Sequence, residues 1–166
     1  MSRFYLILVY YDIIIDMLLT LCLLKKDDKI LLGLKKRGFG VNRWNGFGGK
    51  VEKGETIQEA AIRETLEEVE VKIIDLQEVG LMYFEFAGDP EILEVHVFKS
   101  VNWSGKPVET EEMKPQWFDI DDIPYDKMWD DDKYWFPWFL ENKKFKAKFY
   151  FDKDGKKVQD YKIEEA

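Results

Sequence analysis

The chain has 166 residues, 33 acidic and 25 basic side chains, and a formal charge of −8. That length suits one domain with a sizeable core, and the acidic balance argues against binding a nucleic acid polymer, which needs a basic face. Cys22 is the single cysteine, so no internal disulfide can form, which fits a reducing compartment.

Residues 4–15, FYLILVYYDIII, form an apolar opening. It is a poor secretory signal, because Asp12 interrupts the run, Asp16 ends it and no small-residue cleavage site follows. A mitochondrial presequence would need arginines beyond Arg3. A membrane span would have to run on to Leu24, carry two aspartates and consume the first strand of the domain. Residues 1–16 are therefore expected to be an extension outside the core, with an added strand or an anchor as the alternatives. The domain proper is expected over 17–166.

Residues 17–24 and 29–35 are apolar runs flanking KKDD, and read as two strands around a turn. A glycine-bearing loop, KRGFGVNRWNGF, follows. Residues 79–86 and 92–99 are rich in β-branched and aromatic side chains, and AGDPE between them predicts a hairpin. His96 falls in the second of these strands and reads as an ordinary strand residue. Residues 116–119 are a short strand candidate. Asp130, Asp131 and Asp132 are placed to cap a second helix, YWFPWFLEN, in which Pro137 must sit in the first turns or make a kink. Residues 145–151 alternate apolar side chains with Lys146 and Lys148, and DKDG turns the chain back towards Tyr161 and Ile163. Strands mixed with two helices imply an α/β (α+β) sheet flanked by helices.

The most informative stretch is 48–71, GGKVEKGETIQEAAIRETLEEVEV. At 100° per residue, Ile62, Thr65, Leu66 and Val69 share a mostly apolar side, and Glu64, Glu67 and Glu68 cluster opposite. Alone, that pattern reads as a solvated acidic face with an Arg63–Glu67 pair. Gly48, Gly49 and Gly54 before it, however, allow close approaches and turns. Oxygen ligands on a rigid helix also suit a hard divalent cation that bridges to phosphates.

This stretch resembles the box of the Nudix hydrolase family: G, five residues, E, seven residues, then R-E-U-x-E-E-x-G-U, with U a bulky aliphatic. Gly49, Glu55, Arg63, Glu64, Glu67, Glu68 and Val71 match. Thr65 departs at the first U, and Glu70 replaces the glycine that would end the helix in a left-handed conformation. Beyond the box, LLGLKKRGFG, RWNGFGGKV, FEFAGDPE, VHVF, GKPVETEEMKP, WFDIDDIP and MWDDDKYWFP resemble the MutT-type branch that hydrolyses oxidised purine nucleoside triphosphates in animals.

The resemblance implies the Nudix fold, a mixed β-sheet sandwiched between helices. It implies hydrolysis of substrates such as 8-oxo-dGTP and 2-hydroxy-dATP to the monophosphate and pyrophosphate, with water attacking the β-phosphorus. The cofactor would be Mg²⁺, or Mn²⁺ in its place, held by Glu64, Glu67, Glu68 and the Gly48 carbonyl, with Glu112 as a further ligand or a base. Glu55 and Arg63 would brace the box. The base pocket would comprise Thr20, Phe39, Asn45, Phe84, Trp129, Asp131 and Asp132, with Lys35 and Met113 nearby. Trp129 suits stacking on a purine, and Asn45 and the two aspartates suit its polar edge. Asp130 stands where this branch commonly has proline, which is expected to loosen the loop. The implied partner is a purine nucleoside triphosphate, with no nucleic acid polymer and no membrane. The protein would be a monomer in the cytoplasm, with nucleus and mitochondrion as further sites. Two competing readings are a Nudix enzyme for another nucleoside diphosphate-linked substrate, which the base-pocket residues disfavour, and a non-catalytic nucleotide-binding module, which the intact carboxylates disfavour.

Overall fold

The computed structural model describes residues 15–166. The expected N-terminal extension falls on residues 1–14, outside the described residues, apart from its last two positions. Of these, Asp16 is tied to the domain: its N–H donates to the Ile92 carbonyl at 3.1 Å, and its carboxylate accepts from the Ile92 N–H at 2.8 Å.

Among the described residues an eight-stranded mixed sheet carries the fold, running from β10 (Val158–Glu165) through β9 (Phe145–Phe151), β5 (Gln77–Phe86), β6 (Ile92–Ser100), β1 (Met17–Lys26) and β2 (Lys29–Lys35) to β3 (Trp44–Asn45), with β8 (Met113–Asp119) on the other edge of β2. Strands β4 (Lys72–Ile73) and β7 (Trp103–Ser104) form a small separate ribbon. The β1–β6 and β5–β9 pairs are parallel and the rest antiparallel. Among the described residues two α-helices flank the sheet, α1 (Ile57–Val69) and α2 (Asp132–Leu140). Among the described residues no helix is long and apolar enough to cross a membrane.

Both faces of the central strands are covered, which explains their continuous apolar runs. Side chains alternate across a strand. Leu21 and Leu23 of β1 enter the core shared with Trp135, Phe136 and Phe139 of α2. Cys22 and Leu24 enter the other core, with Ala61 and Val69 of α1.

The β1–β2 hairpin pairs only at its tip, from Leu24↔Leu31 to Lys26↔Lys29. Where it splays, the chain after the glycine-bearing loop fills the gap. Trp44 and Asn45 pair with β2, while Phe47 and Lys50 bridge to β1. Phe47 and Cys22 exchange backbone bonds at 2.9 and 2.6 Å, and Thr20 N–H donates to Gly49 O at 2.9 Å. Gly48 is therefore pressed against β1, where any Cβ would coincide with the Thr20 carbonyl. This wedge holds the start of the box against the sheet directly beneath α1.

The proposed capping of α2 is not what the three aspartates do. Asp131 is the N-cap but makes no side-chain cap bond. Pro137 lies in the second turn, within the first turns where it was expected.

Candidate active site

Helix α1 starts on a capping box that the sequence pattern Thr56-x-x-Glu59 signals and the reading above missed. Glu59 N–H donates to Thr56 Oγ1 at 3.1 Å, and Thr56 N–H donates to Glu59 Oε2 at 2.7 Å. Such a box satisfies two otherwise orphaned donors of the first turn. The helix ends at Glu70, which takes the left-handed conformation (φ 59°, ψ 28°) and donates its N–H to Leu66 O. The termination survives the loss of glycine, with the strain placed on a glutamate.

The helix faces differ from the expected division. Ala60, Ala61, Thr65, Glu68 and Val69 are the buried set, whereas Leu66 is 47% exposed. The side turned to the sheet is the one that carries Ala60 and Ala61, and on a helix Glu68 shares that side while Leu66 does not. Thr65, the unusual residue of the box, is fully buried and donates its hydroxyl to Ala61 O at 2.8 Å.

Glu68 is 1% exposed. Its Oε1 accepts from Gly48 N–H at 2.8 Å, and its Oε2 has no hydrogen-bond partner among the described residues. Burial pushes its carboxyl up to about 8, against the pull of the Gly48 N–H and Lys35, with Glu64 and Glu112 adding to the rise. Burial likewise raises Glu64, against the pull of Arg63. Gly49 packs so closely on Glu64 that a Cβ there would lie 2.7 Å from its carboxyl group.

Arg63 organises the rest. Its Nε and Nη2 grip Glu55 at 3.0 and 2.7 Å, and Nη2 also reaches Lys50 O at 3.0 Å. Its Nη1 donates to Glu64 at 2.8 Å and to Glu67 at 3.3 Å. The expected Arg63–Glu67 pair therefore exists, but as one arm of a hub that also takes in Glu55, Glu64, the Lys50 carbonyl and, at 3.8 Å, Glu52. Arg63 and a backbone N–H hold Glu55 down at about 2. Its two-pronged grip fits bracing rather than chemistry.

Glu112 lies close enough for its charge to raise both Glu64 and Glu68, and its own carboxylate pairs with Arg37 at 3.3 Å. Thr110, another residue missed, ties this loop to α1. Its hydroxyl donates to Glu68 O at 2.8 Å and accepts from Glu112 N–H at 3.2 Å.

Among the described residues, no three metal-ligating side chains converge closely enough to chelate an ion as they stand. Arg63 draws Glu64 and Glu67 aside, and Arg37 draws Glu112. The chemistry nevertheless fits a hard divalent cation: an all-oxygen donor set, with one buried carboxylate oxygen left unpaired.

A second group gathers aromatic residues around two buried aspartates. Trp129 meets Phe39 at a centroid distance of 4.9 Å, and the Arg43 guanidinium stacks 4.0 Å from the Trp129 ring centroid. Phe39 is 74% exposed. The sequence carries no signal for the Arg43 contact beyond its place in the same loop. Phe84 stacks on Phe149 at 5.5 Å. Asp131 and Asp132 are 4% and 2% exposed. Asp131 Oδ2 accepts from Trp135 Nε1 at 2.9 Å, and Asp132 Oδ2 from Trp129 N–H at 3.1 Å. Burial raises both carboxyls, Asp131 to about 7 and Asp132 well above the usual range, where Asp131 adds to the effect. Close carboxylates resist double ionisation, so the protons belong to the pair.

The other expected pocket residues are divided. Asn45 engages its side-chain oxygen with Gly46 N–H at 2.8 Å. By strand alternation, Thr20 and Lys35 lie on the α1 face of the sheet. Thr20 Oγ1 approaches Gly49 O at 3.5 Å, and the Lys35 charge acts on Glu68. Met113 is buried in the α1 core beside Phe47, apart from the aromatic group. His96 stays outside both groups, with its ring nitrogens on Glu78 and Glu94.

A carboxylate-bearing helix beneath a glycine wedge, on a mixed sheet with a helix against each face, makes an all-oxygen site of the class suited to a divalent cation and the phosphates it bridges. The NUDIX domain family matches residues 19–139, and the chain belongs to that family. It is 52% identical over 134 residues to the oxidized purine nucleoside triphosphate hydrolase of Danio rerio, covering 81% of this chain and 86% of that protein. It is 49% identical over 148 residues to the Mus musculus protein of the same description, covering 89% and 94%. A crystal structure of a MutT protein from Bacillus halodurans superposes with a TM-score of 0.80 over 89% of this chain and 97% of that one; at 24% identity it speaks to the fold. Enzymes of this family use divalent metal ions.

Proposed function

We propose that this protein hydrolyses oxidised purine nucleoside triphosphates, such as 8-oxo-dGTP and 2-hydroxy-dATP, to the monophosphate and pyrophosphate, and so sanitises the nucleotide pool. The observation that carries the choice of substrate is the buried Asp131–Asp132 pair that closely follows Trp129 in the chain, with Asp132 bonded to the Trp129 N–H. A protonated carboxyl donates a hydrogen bond and an ionised one accepts, so a pair sharing protons can meet the altered polar edge of an oxidised base. The names of the zebrafish and mouse relatives point the same way.

Glu64, Glu67 and Glu68, with the Gly48 carbonyl and Glu112, would hold Mg²⁺, with Mn²⁺ as a substitute. When bound, such an ion neutralises phosphate charge and makes water a stronger nucleophile. Arg63 would keep Glu55, Glu64 and Glu67 in register, and the wedge at Gly48 would fix Glu68. Trp129 would stack the base, and Asn45 with the two aspartates would read its edge. The enzyme would act as a cytoplasmic monomer on free nucleotides.

The test is a turnover assay with Mg²⁺ against 8-oxo-dGTP, 2-hydroxy-dATP, dGTP, dATP, ADP-ribose and a dinucleoside polyphosphate, scored by pyrophosphate release. Preference for the two oxidised purines is the expected result. Preference for ADP-ribose or the dinucleotide, or no turnover at all, would overturn it.

A further inference from the structure

Asp130 was expected to loosen the loop before α2, but its contacts do the opposite. Its Oδ2 accepts from the Val158 N–H at 2.9 Å, across 28 residues of sequence. Its Oδ1 pairs with Lys133 at 2.8 Å and faces Lys157 at 3.5 Å. The side chain is only 11% exposed. Burial works against its charge, yet Lys133, the Val158 N–H and Lys157 outweigh that cost and leave the carboxyl below its usual range. Val158 opens β10, where the ladder register shifts before Asp160.

The next two residues are the buried pair, and each has one hydrogen bond from a tryptophan: Trp135 Nε1 to Asp131, Trp129 N–H to Asp132. Those bonds lie within the loop and α2 themselves. Asp130 adds a bond from the pair's own segment to another part of the sheet.

We propose that Asp130 is a positioning residue for substrate recognition, fastening the segment that carries Asp131 and Asp132 to the start of β10 through the Val158 N–H. The exposed ends of Lys133 and Lys157 add little, because ion pairs in water are weak. The hydrogen bond to a charged acceptor carries the effect. The inference rests on the base-reading role given to Asp131 and Asp132 under the proposed function.

Steady-state kinetics on the full chain, with 8-oxo-dGTP and Mg²⁺, test it. Asp130→Ala is expected to raise KM roughly tenfold while kcat stays within about twofold, as when a misplaced base-reading pair binds the ground and transition states equally less well. Asp130→Asn still offers an oxygen to Val158 but without the charge, and is expected to reverse only part of the rise in KM. Val158→Pro removes the donor and is expected to reproduce the Asp130→Ala value, with no further loss in the double variant. Three results would overturn the inference: an unchanged KM in Asp130→Ala, equal losses in the Ala and Asn variants, or a fall in kcat and Tm with KM intact. Asp132→Asn separates the two levels. A wild-type KM and substrate ratio there removes the base-reading role and this inference with it. A raised KM there beside a wild-type Asp130→Ala removes the inference alone.

Discussion

The Gly48 N–H donates to Glu68 Oε1 at 2.8 Å, joining the strand-side wedge to a buried carboxylate 20 residues further along the chain. Gly48 cannot carry a Cβ, because the Thr20 carbonyl occupies that space. The bond therefore depends on a glycine pressed against β1, and it orients Glu68 so that Oε2 is left unpaired. Glu68→Gln retains an acceptor for Gly48 and nearly the same shape, but no charge. It is expected to fold with an unchanged or higher Tm and to lose about 100-fold or more in kcat, the scale of losing one preorganised electrostatic group. Wild-type turnover in this variant at low Mg²⁺ would remove Glu68 from the site.

Arg63 holds Glu55 by two nitrogens and Glu64 by a third. A lysine cannot reproduce that fork. Arg63→Lys should lower kcat by about 10-fold or more while the helix remains, because misplaced catalytic groups cost rate without unfolding the protein. Far-ultraviolet circular dichroism and Tm, measured beside kcat, distinguish this from global destabilisation.

The pair Asp131–Asp132 makes a pH prediction. Asp131 is raised by burial to about 7 in the folded protein, above the ordinary aspartate value near 4 that applies when unfolded. The folded state then binds more protons between those values, so stability falls as pH rises from about 4 to about 7. The contribution is intact below the unfolded value and lost above the folded one. Asp131→Asn keeps an acceptor for Trp135 and carries no charge. It should raise stability by about 1–3 kcal/mol at pH 8 and change it little at pH 4. Chemical denaturation at the two pH values checks the sign.

Substrate choice supplies a separate prediction from the same pair. Asp132→Asn makes one member a permanent amide and forbids proton exchange with its neighbour. The two oxidised substrates should then suffer unequally, by roughly 10-fold or more in their kcat/KM ratio, because an unmatched buried polar group loses discrimination. Equal losses for 8-oxo-dGTP and 2-hydroxy-dATP across pH 6 to 9 would deny the exchange.

Glu70 ends α1 in a left-handed conformation at φ 59°. Glycine reaches that conformation without strain. Glu70→Gly should therefore stabilise the protein by about 0.5–1 kcal/mol, or about 2 °C in Tm for a chain of this size. Thermal denaturation would show it; a lower Tm would mean that Glu70 makes a compensating contact.

Local pattern settled a large part of this molecule. Strand runs and turn residues located β1, β2, β5, β6, β9 and the second half of β8, because alternation and turn chemistry act over a few neighbouring residues. The spacing of Gly49, Glu55, Arg63, Glu64, Glu67 and Glu68 was enough to name the family, and helical geometry brings Arg63 and Glu67 together without help from the rest of the chain. Other features depended on docking. Periodicity put Leu66 inside and Glu68 outside, yet the side of the helix turned to the sheet is the one that carries Ala60 and Ala61, which reversed those two positions. The three aspartates at 130–132 look like one helix cap in sequence, and separate into a clasp on β10 and a buried pair only once β10 and α2 are in place. Arg43 over Trp129 and Thr110 beneath Glu68 join segments 86 and 42 residues apart. Short-range order follows from backbone geometry and the local spacing of side chains. Burial, pairing and protonation depend on what the rest of the chain brings to each group, and that is decided when the layers pack.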